Sequence, residues 1–581
     1  MENEMSYEEL VKKIQELEFE LKSTKKYGLV WDKEDTKEDV VLKCEKEIPV
    51  LTQDKEKRIV CNNGENNVLI EGDNYHALTS LNFIAKESID VIYIDPPYNT
   101  GHEDFAYNDR FVNEDDGYIH SKWLSFMEKR LLLAKQLLKN NGLIFISIDD
   151  NEQANLKLLC DSIFGSFNFI NTFIIDKTAQ GANNSSTFKT QHEFCLLYKN
   201  GSDEMINTNI CADIDSTKYK YKDEKGYYAL TNTFDSINSP LNKNKNRGYT
   251  VYYNEKNKDV QIREEYNKDL EIFGEYDSEL IERGYTPIRP GIRKNVQYPW
   301  NWMLSRFLEE YKEELVFQKN KKGNYTIYHK NRFNGLTKDT TIKRFDTRQF
   351  GNQILVDILG KKLFDFPKSL DMMKWVVSRH NNKNAVVFDF FAGSGTTGQA
   401  VMELNKEDGG HRRFILCTNN ENNICTDVTY PRLKTVITGI RPDGSKYSDG
   451  LPNNLYYFKT DFVKDQNNTE QARYDLVEKV DGLLCIAENI FDEVERNTYF
   501  SHYSSKDRHL FIYNDYYSPE TFEEFKNRVI NCKGERIVYV YSSDNNVDET
   551  LFEDKTIQLK PIPMKIYEIY KEIVEEIKRG E

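Results

Sequence analysis

The 581-residue sequence has no run of about 18 uninterrupted apolar residues, which excludes a membrane-spanning helix from its plan. Its start, Met1-Glu2-Asn3-Glu4, lacks the basic and apolar regions of a signal peptide. No C-x-x-C pair occurs among the nine cysteines, and their odd count argues for reduced thiols in a cytoplasm, without structural zinc. Internal repeats are absent. Net positive charge is lacking too: the formal balance is −16, which speaks against a surface that is basic throughout. What remains is a folded chain with 39% hydrophobic and 13% aromatic residues, long enough for two to four domains.

The charge is unevenly spread. Residues 281–350 hold 15 Lys and Arg against 7 Asp and Glu. Such a segment is either a surface that meets phosphates or an ordinary solvated face. Arg289, Arg293, Lys294, Lys321, Lys322, Arg344 and Arg348 are its candidate phosphate contacts, and Trp300 and Trp302, beside Pro299, either stack on bases or pack in a core.

Near the start, Leu10, Ile14, Leu17 and Leu21 recur at helical spacing, an amphipathic helix of about two heptads that packs on its own body or on a partner subunit. From Val68 onward short apolar strands alternate with helices. Strands are read at 68–70, 91–94, 143–148 and 193–198, with helices through about 86, over 123–138 and over 152–163. This alternation predicts an α/β fold, a doubly wound, mostly parallel sheet covered on both faces. The stretch 201–345 breaks it, being rich in Asn, Lys, Tyr and Gly, with Pro240, Pro287, Pro290 and Pro299, and reads as an insert of short strands and loops. Alternation resumes with a strand at 385–389, a helix over 393–405 and a strand at 413–417. Beyond about 461 a small α/β unit is expected, with strands at 510–513 and 536–541 and helices near 519–530 and 563–578. The implied domains are 1–60, a helical extension; 61–200 and 351–460, two halves of one sheet domain; 201–350, the insert; and 461–581, the C-terminal unit.

Two motifs carry chemistry. Asp95-Pro96-Pro97-Tyr98 closes the apolar run Val91-Ile92-Tyr93-Ile94. The prolines carry no N–H, so the chain leaves the sheet with carbonyls free to accept. Asp95 accepts as well and Tyr98 offers a π face, a receptor for a flat ring bearing an exocyclic amine. The second motif is Phe388-Asp389-Phe390-Phe391-Ala392-Gly393-Ser394-Gly395-Thr396-Thr397, a strand running into a Gly-rich turn and a helix. It lacks the third glycine of a dinucleotide fingerprint and the lysine of a Walker loop. Asp149-Asp150 reads as a helix-capping pair or, less well, a metal pair; His76, His120 and His192 have no metal spacing.

Together, D-P-P-Y followed after a long insert by F-x-G-x-G-T resembles the β class of S-adenosylmethionine-dependent DNA amino methyltransferases. The segments at 27–31, 69–78, 120–124 and 418–423 are similar to those of modification subunits of type III restriction–modification systems. The resemblance implies transfer of a methyl group from S-adenosyl-L-methionine to adenine N6 in duplex DNA by base flipping, with S-adenosyl-L-homocysteine as product. An Asp at position 95 favours adenine N6 over cytosine N4. Asp95, Pro96, Pro97 and Tyr98 would activate the base. Phe391, Gly393, Gly395 and Thr396 would border the cofactor, with Asp389 at the strand end, Asp73 and Asn74 at its adenosine part, and Phe366-Pro367-Lys368 beside its methionine part. Its ribose would fall to an Asn amide, such as Asn419, or to Glu421, because the usual strand-end acid is missing. The insert would be the target-recognition domain, with Arg289, Arg293, Lys294, Trp300 and Arg344 its nominated DNA contacts. No metal is implied. A homodimer, and an ATP-dependent restriction subunit for any cleavage, are the implied partners. An RNA or glutamine methyltransferase, and a DNA-binding protein with a dead pocket, are the rival readings.

Overall fold

A computed structural model describes residues 31–562 apart from 32–37, 45, 62–63, 102–105, 108–109, 112–117, 177–187, 189, 203, 212–216, 321–322, 334–335, 346–350, 465–474, 478, 515–517 and 542–546. The helices expected around Leu10–Leu21 and over 563–578, and the basic residues Lys321, Lys322 and Arg348, lie outside the described residues. The chain divides into two compact units, Thr208–Asp339 and everything on either side of it. No helix among the described residues is long and apolar enough to cross a membrane.

The larger unit is built on a ten-stranded sheet. Its strands in chain order are β1 (Glu47–Gln53), β2 (Asn66–Glu71), β3 (Ile89–Ile94), β4 (Leu138–Ile148), β5 (Phe169–Asp176), β6 (His192–Lys199), β7 (Ile342–Arg344), β8 (Val386–Asp389), β9 (Arg413–Thr418) and β10 (Asn454–Lys464). Across the sheet they run β1-β10-β2-β9-β8-β3-β4-β6-β5-β7. From β10 to β4 every neighbour is parallel. Antiparallel pairs occur only towards the edges, at β1–β10, β4–β6 and β6–β5.

Central strands buried on both faces must be apolar throughout, and β3 is buried at every position. Its one acid, Asp90, accepts from the Val386 N–H at 2.8 Å and from Lys139 at 2.9 Å, so the charge is paired where it is buried. Alternate residues feed two cores. Ile92, Ile94, Ile144 and Ile146 pack with Leu78, Trp123, Met127 and Leu156 from α1 (Asn74–Asn82), α2 (Ile119–Leu137) and α3 (Gln153–Cys160). Val91, Tyr93, Leu143 and Phe145 pack with Met373, Val401 and Leu433 from α4 (Leu370–Ser378), α5 (Thr396–Asp408) and α6 (Tyr430–Thr438). The fold class is the doubly wound α/β class expected.

A five-stranded sheet follows in the same unit, in the order β11 (Asp492–Arg496), β12 (Phe500–Ser505), β13 (Arg508–Tyr513), β14 (Glu535–Tyr541), β15 (Ile557–Ile562), with α7 (Pro519–Asn531) between β13 and β14. Its Leu510, Ile512 and Ile537 join the same apolar cluster as Val50, Val463 and Leu483. Among the described residues no break in the core falls at residue 461.

The second unit is made of short antiparallel strands. A four-stranded sheet combines 221–223, 226–233, 325–332 and 315–319, and a three-stranded sheet combines 260–263, 250–253 and 286–288. Its core is aromatic: Phe234, Tyr249, Trp300, Trp302 and Phe307 cluster with Ile327 and Leu315. The unit closes at its base, where 209–211 and 336–338 pair antiparallel.

Candidate active site

Strands β3 and β8 lie side by side and parallel, with Val387 opposite Val91 and Phe388 opposite Ile92. The two motifs, nearly 300 residues apart in sequence, therefore end at one edge of the sheet. Ligands of open α/β sheets bind at such carboxyl ends.

Pro96 and Pro97 end β3, and Asn99 turns the chain with a φ of 60°. The loop is braced from beneath. The Trp123 indole donates to the Pro97 carbonyl at 2.7 Å, and the Asn99 amide donates to the buried Glu152 at 2.5 Å. The Pro96 carbonyl accepts no hydrogen bond among the described residues.

Asp95, Tyr98, Lys368 and Glu193 form one charged network. The Tyr98 hydroxyl donates to Asp95 at 2.9 Å and lies 3.1 Å from Glu193. The Lys368 ammonium donates to the Tyr98 oxygen at 2.6 Å, to both Glu193 oxygens at 3.1 and 3.0 Å, and pairs with Asp95 at 3.1 Å. Asp95 keeps 26% of its side chain exposed while Glu193 keeps 1%, so Asp95 is the carboxylate a ligand can reach. Burial pushes the Asp95 carboxyl above the usual range, against the pull of Lys368. Burial alone would lower Lys368, but the charges of Asp95 and Glu193 outweigh it and hold the ammonium protonated.

On the neighbouring strand, Gly393 and Gly395 adopt φ of 48° and 78°, left-handed values that suit glycine. A Cβ on Gly395 would meet the Thr429 methyl at 3.0 Å. Buried Arg432 props the turn, donating to the Ser394 hydroxyl at 3.0 Å and to the Thr396 hydroxyl at 2.7 Å. Asp389 is tied inward, accepting from Thr397 at 2.5 Å and from the Phe391 N–H at 3.0 Å. Burial raises its carboxyl from 3.8 to about 7, opposed by those two donors.

One cleft joins the motifs. It is lined by Asp95, Phe366, Lys368, Asp389, Phe391, Gly393 and Thr396 from the expected set, with Tyr93, Phe364, Met373, Ala392, Ser394 and Thr397. Asn74 reaches the same loop, its amide donating to the Phe390 carbonyl at 3.2 Å. Asp73 caps α1, accepting the Tyr75 N–H at 2.7 Å. Asn419 is exposed and bonds Glu421 at 3.4 Å; neither lines the cleft. Asp149 accepts the Asn151 N–H at 2.9 Å, as a turn residue does.

The nominated DNA contacts fare differently. Trp300 is a correction: it is 3% exposed, stacks on Phe234 at 5.2 Å and donates its indole N–H to the Tyr249 carbonyl, so it holds the aromatic core and cannot meet a base. Arg289 pairs with Glu265 at 2.7 Å and stacks on Tyr276, with 17% of its side chain exposed. Arg293 pairs with Asp235 at 2.8 Å but stays 41% exposed. Lys294 is exposed on a turn with φ of 48°. Arg344 belongs to β7 of the large sheet, not to the inserted unit, and pairs with Asp176. Over Thr208–Asp339 the sequence has 23 Lys and Arg against 20 Asp and Glu, so the unit as a whole is close to charge balance.

Sequence reasoning passed over Glu193 and Arg432. The signal for Glu193 was an acid heading an otherwise apolar run. Its place follows from β6 running antiparallel to β4, which brings the start of β6 to the edge where the parallel strands end. Arg432 carried no signal, being one arginine in a helix.

A strand end with a reachable carboxylate beside a Gly-rich turn, on a doubly wound sheet, fits the class of the amino methyltransferases. Residues 89–429 match the DNA methylase family of N6 and N4 methyltransferases. The chain belongs to this DNA methylase family. It is 32% identical over 396 residues to the type II methyltransferase M.KpnI of Klebsiella pneumoniae, covering 66% of this chain and 88% of that protein. It is 30% identical over 454 residues to the Mod subunit of the type III restriction–modification enzyme StyLTI of Salmonella typhimurium, covering 72% of this chain and 64% of the relative. To the EcoPI Mod subunit of Escherichia phage P1 it is 29% identical over 411 residues, covering 62% and 58%. The chain thus spans roughly three fifths of the length of these two type III subunits.

Proposed function

We propose that this DNA methylase transfers a methyl group to adenine N6 in duplex DNA, as the modification and recognition subunit of a type III restriction–modification system. The observation that carries the reading is the shared cleft: Asp95 with a reachable carboxylate, one strand away from the Gly393–Gly395 turn. The cleft fits S-adenosyl-L-methionine in its chemistry. Phe364, Phe366, Phe391 and Met373 offer apolar and aromatic surface, and Ser394 and Thr396 offer hydroxyls beside a turn without Cβ atoms. When bound, that cofactor supplies an electrophilic methyl group on a sulfonium.

The chain's own residues do the rest. Asp95 and the Pro96 carbonyl accept the two N–H groups of an exocyclic amine, which withdraws its lone pair from the ring and directs it outward. Asp95 sits where it can take the proton that the amine releases. The bond from the Tyr98 hydroxyl to Asp95 anchors the tip of its ring, a platform for a base turned out of the helix. Lys368 balances the two carboxylates so that the pocket is not repelled by its own charge. The inserted unit is the place for target recognition, and Arg289, Arg293 and Lys294 are its cationic candidates. A second copy of the chain and an ATP-driven restriction subunit complete the proposed assembly.

The test incubates purified chain and labelled S-adenosyl-L-methionine with duplex DNA or RNA, then identifies the methylated nucleoside. N6-methyladenine from DNA is expected. N4-methylcytosine would move the reading to the other branch of the family, and label in RNA alone would overturn it.

A further inference from the structure

The C-terminal sheet carries a side-chain cluster that methyl transfer does not use. Strands β12 and β13 pair antiparallel, with His502 opposite Phe511 and Ser504 opposite His509. His502 and His509 are therefore diagonal neighbours on one face, the face on which Phe511 packs against Phe525 and Val529 of α7. Nε2 of His502 lies 3.1 Å from Nδ1 of His509. The His502 ring lies flat on Phe511, centroids 4.0 Å apart, which fixes its orientation. Helix α7 ends at Asn531, and Cys532 at its C-cap turns back towards the pair. One ligand atom from each of His502, His509 and Cys532 lies within 4.8 Å of the other two. The Cys532 thiol has a weak partner, the Lys533 carbonyl at 3.8 Å.

An N–H···N bond between neutral imidazoles would account for the ring pair alone. It gives no reason for the sulfur to close on both nitrogens. In a tetrahedral site with metal–nitrogen bonds of about 2.0–2.1 Å, two nitrogens stand roughly 3.3 Å apart, and the rings are already close to that spacing. With a metal–sulfur bond of about 2.3 Å the sulfur belongs roughly 3.5 Å from each nitrogen, within reach of a small side-chain adjustment.

We propose that His502, His509 and Cys532 form a mononuclear site for a borderline-soft divalent cation of the zinc type, with water as the fourth ligand. Two imidazoles and a thiolate select such a cation over magnesium or calcium, which take oxygen ligands. Binding forms one metal–sulfur and two metal–nitrogen bonds and releases the Cys532 proton to solvent. Because the three ligands come from β12, β13 and the α7–β14 connection, the cation would tie that connection to the β12–β13 hairpin. The missing C-x-x-C spacing has no bearing on it, since strand pairing assembles the ligands.

The test uses the full chain without a histidine tag, stripped with a chelator and titrated with Co²⁺ and then Zn²⁺. One equivalent of Co²⁺ is expected to bind with a thiolate-to-cobalt charge-transfer band that Zn²⁺ abolishes. Cys532→Ser should lose the band, and His509→Ala should weaken binding by more than the about 10- to 100-fold that loss of even an outer partner costs. Zn²⁺ should raise the unfolding temperature of the parent chain and not that of Cys532→Ser. No stoichiometric binding by the parent chain, or a band that survives in Cys532→Ser, would overturn the proposal. The first of these results needs no variant to fold.

Discussion

Asp95 and Asp389 close neighbouring parallel strands, and their surroundings differ in one component. Beside Asp95 the ammonium of Lys368 stands at 3.1 Å, while the partners of Asp389 are neutral donors, the Thr397 hydroxyl and the Phe391 N–H. Burial raises both carboxyls. Asp95, with a cation alongside and a quarter of its side chain open, is arranged to accept from a ligand. Asp389, 2% exposed and bonded to its own turn, is arranged to hold the glycines in place. Two similar strand ends thus divide the work, one for contact and one for shape.

The sharpest way to break this contrast is Asp95→Ala. Methyl transfer should fall by about 10²–10⁴-fold, the range of a positioned acid–base group, with cofactor binding by calorimetry retained. Normal turnover would erase the distinction between the two acids. Glu193→Gln comes next. It takes a counter-charge from Lys368, which then leans on the Asp95 oxygen that the amine needs. A loss of about 10- to 100-fold in kcat is expected, the worth of one hydrogen bond to a charged group. Unchanged turnover would leave Glu193 a packing residue only.

Asp389 should show itself in stability rather than in turnover. Its folded carboxyl holds a proton more tightly than the unfolded one, so its contribution is full below pH 3.8 and drains as pH rises through about 7. Wild type should therefore lose stability across that window, by up to about 1.4 kcal/mol per unit, relative to Asp389→Asn. Denaturant melts at both ends of the window measure it, and parallel curves would show Asp389 to be ionised throughout. The smallest effect belongs to Thr397→Val, which removes one donor to a buried acid and should cost about 1–3 kcal/mol by the same measurement.

The strands that build the cleft were legible because burial on both faces forces unbroken apolar runs: 68–70, 91–94, 143–148, 193–198, 385–389 and 413–417 all lie in the ten-stranded sheet. Strands β1, β5, β7 and β10 were not, since these outermost two positions on each side of the sheet relax the pattern and admit Glu47, Asn171, Lys343 and Asp461. Proline and glycine chemistry made the two motifs readable. Their bracing was not, because Trp123, Glu152, Glu193 and Arg432 act through contacts that no spacing encodes. The charge count over 281–350 left its two readings open for the same reason. It ignored Asp223, Asp235, Glu255 and Glu265, which lie earlier in the chain and pair with its Lys and Arg.

The ribbon at the base of the inserted unit joins 209–211 to 336–338, so about 130 residues leave and rejoin the chain at a single point. A loop whose ends already meet adds little closure entropy when its contents change. The unit is thereby a cassette, exchangeable between Asn207 and Thr340 without altering the spacing of β6 and β8. A graft at this joint would replace the whole unit while leaving the chemical groups of the large sheet where they are.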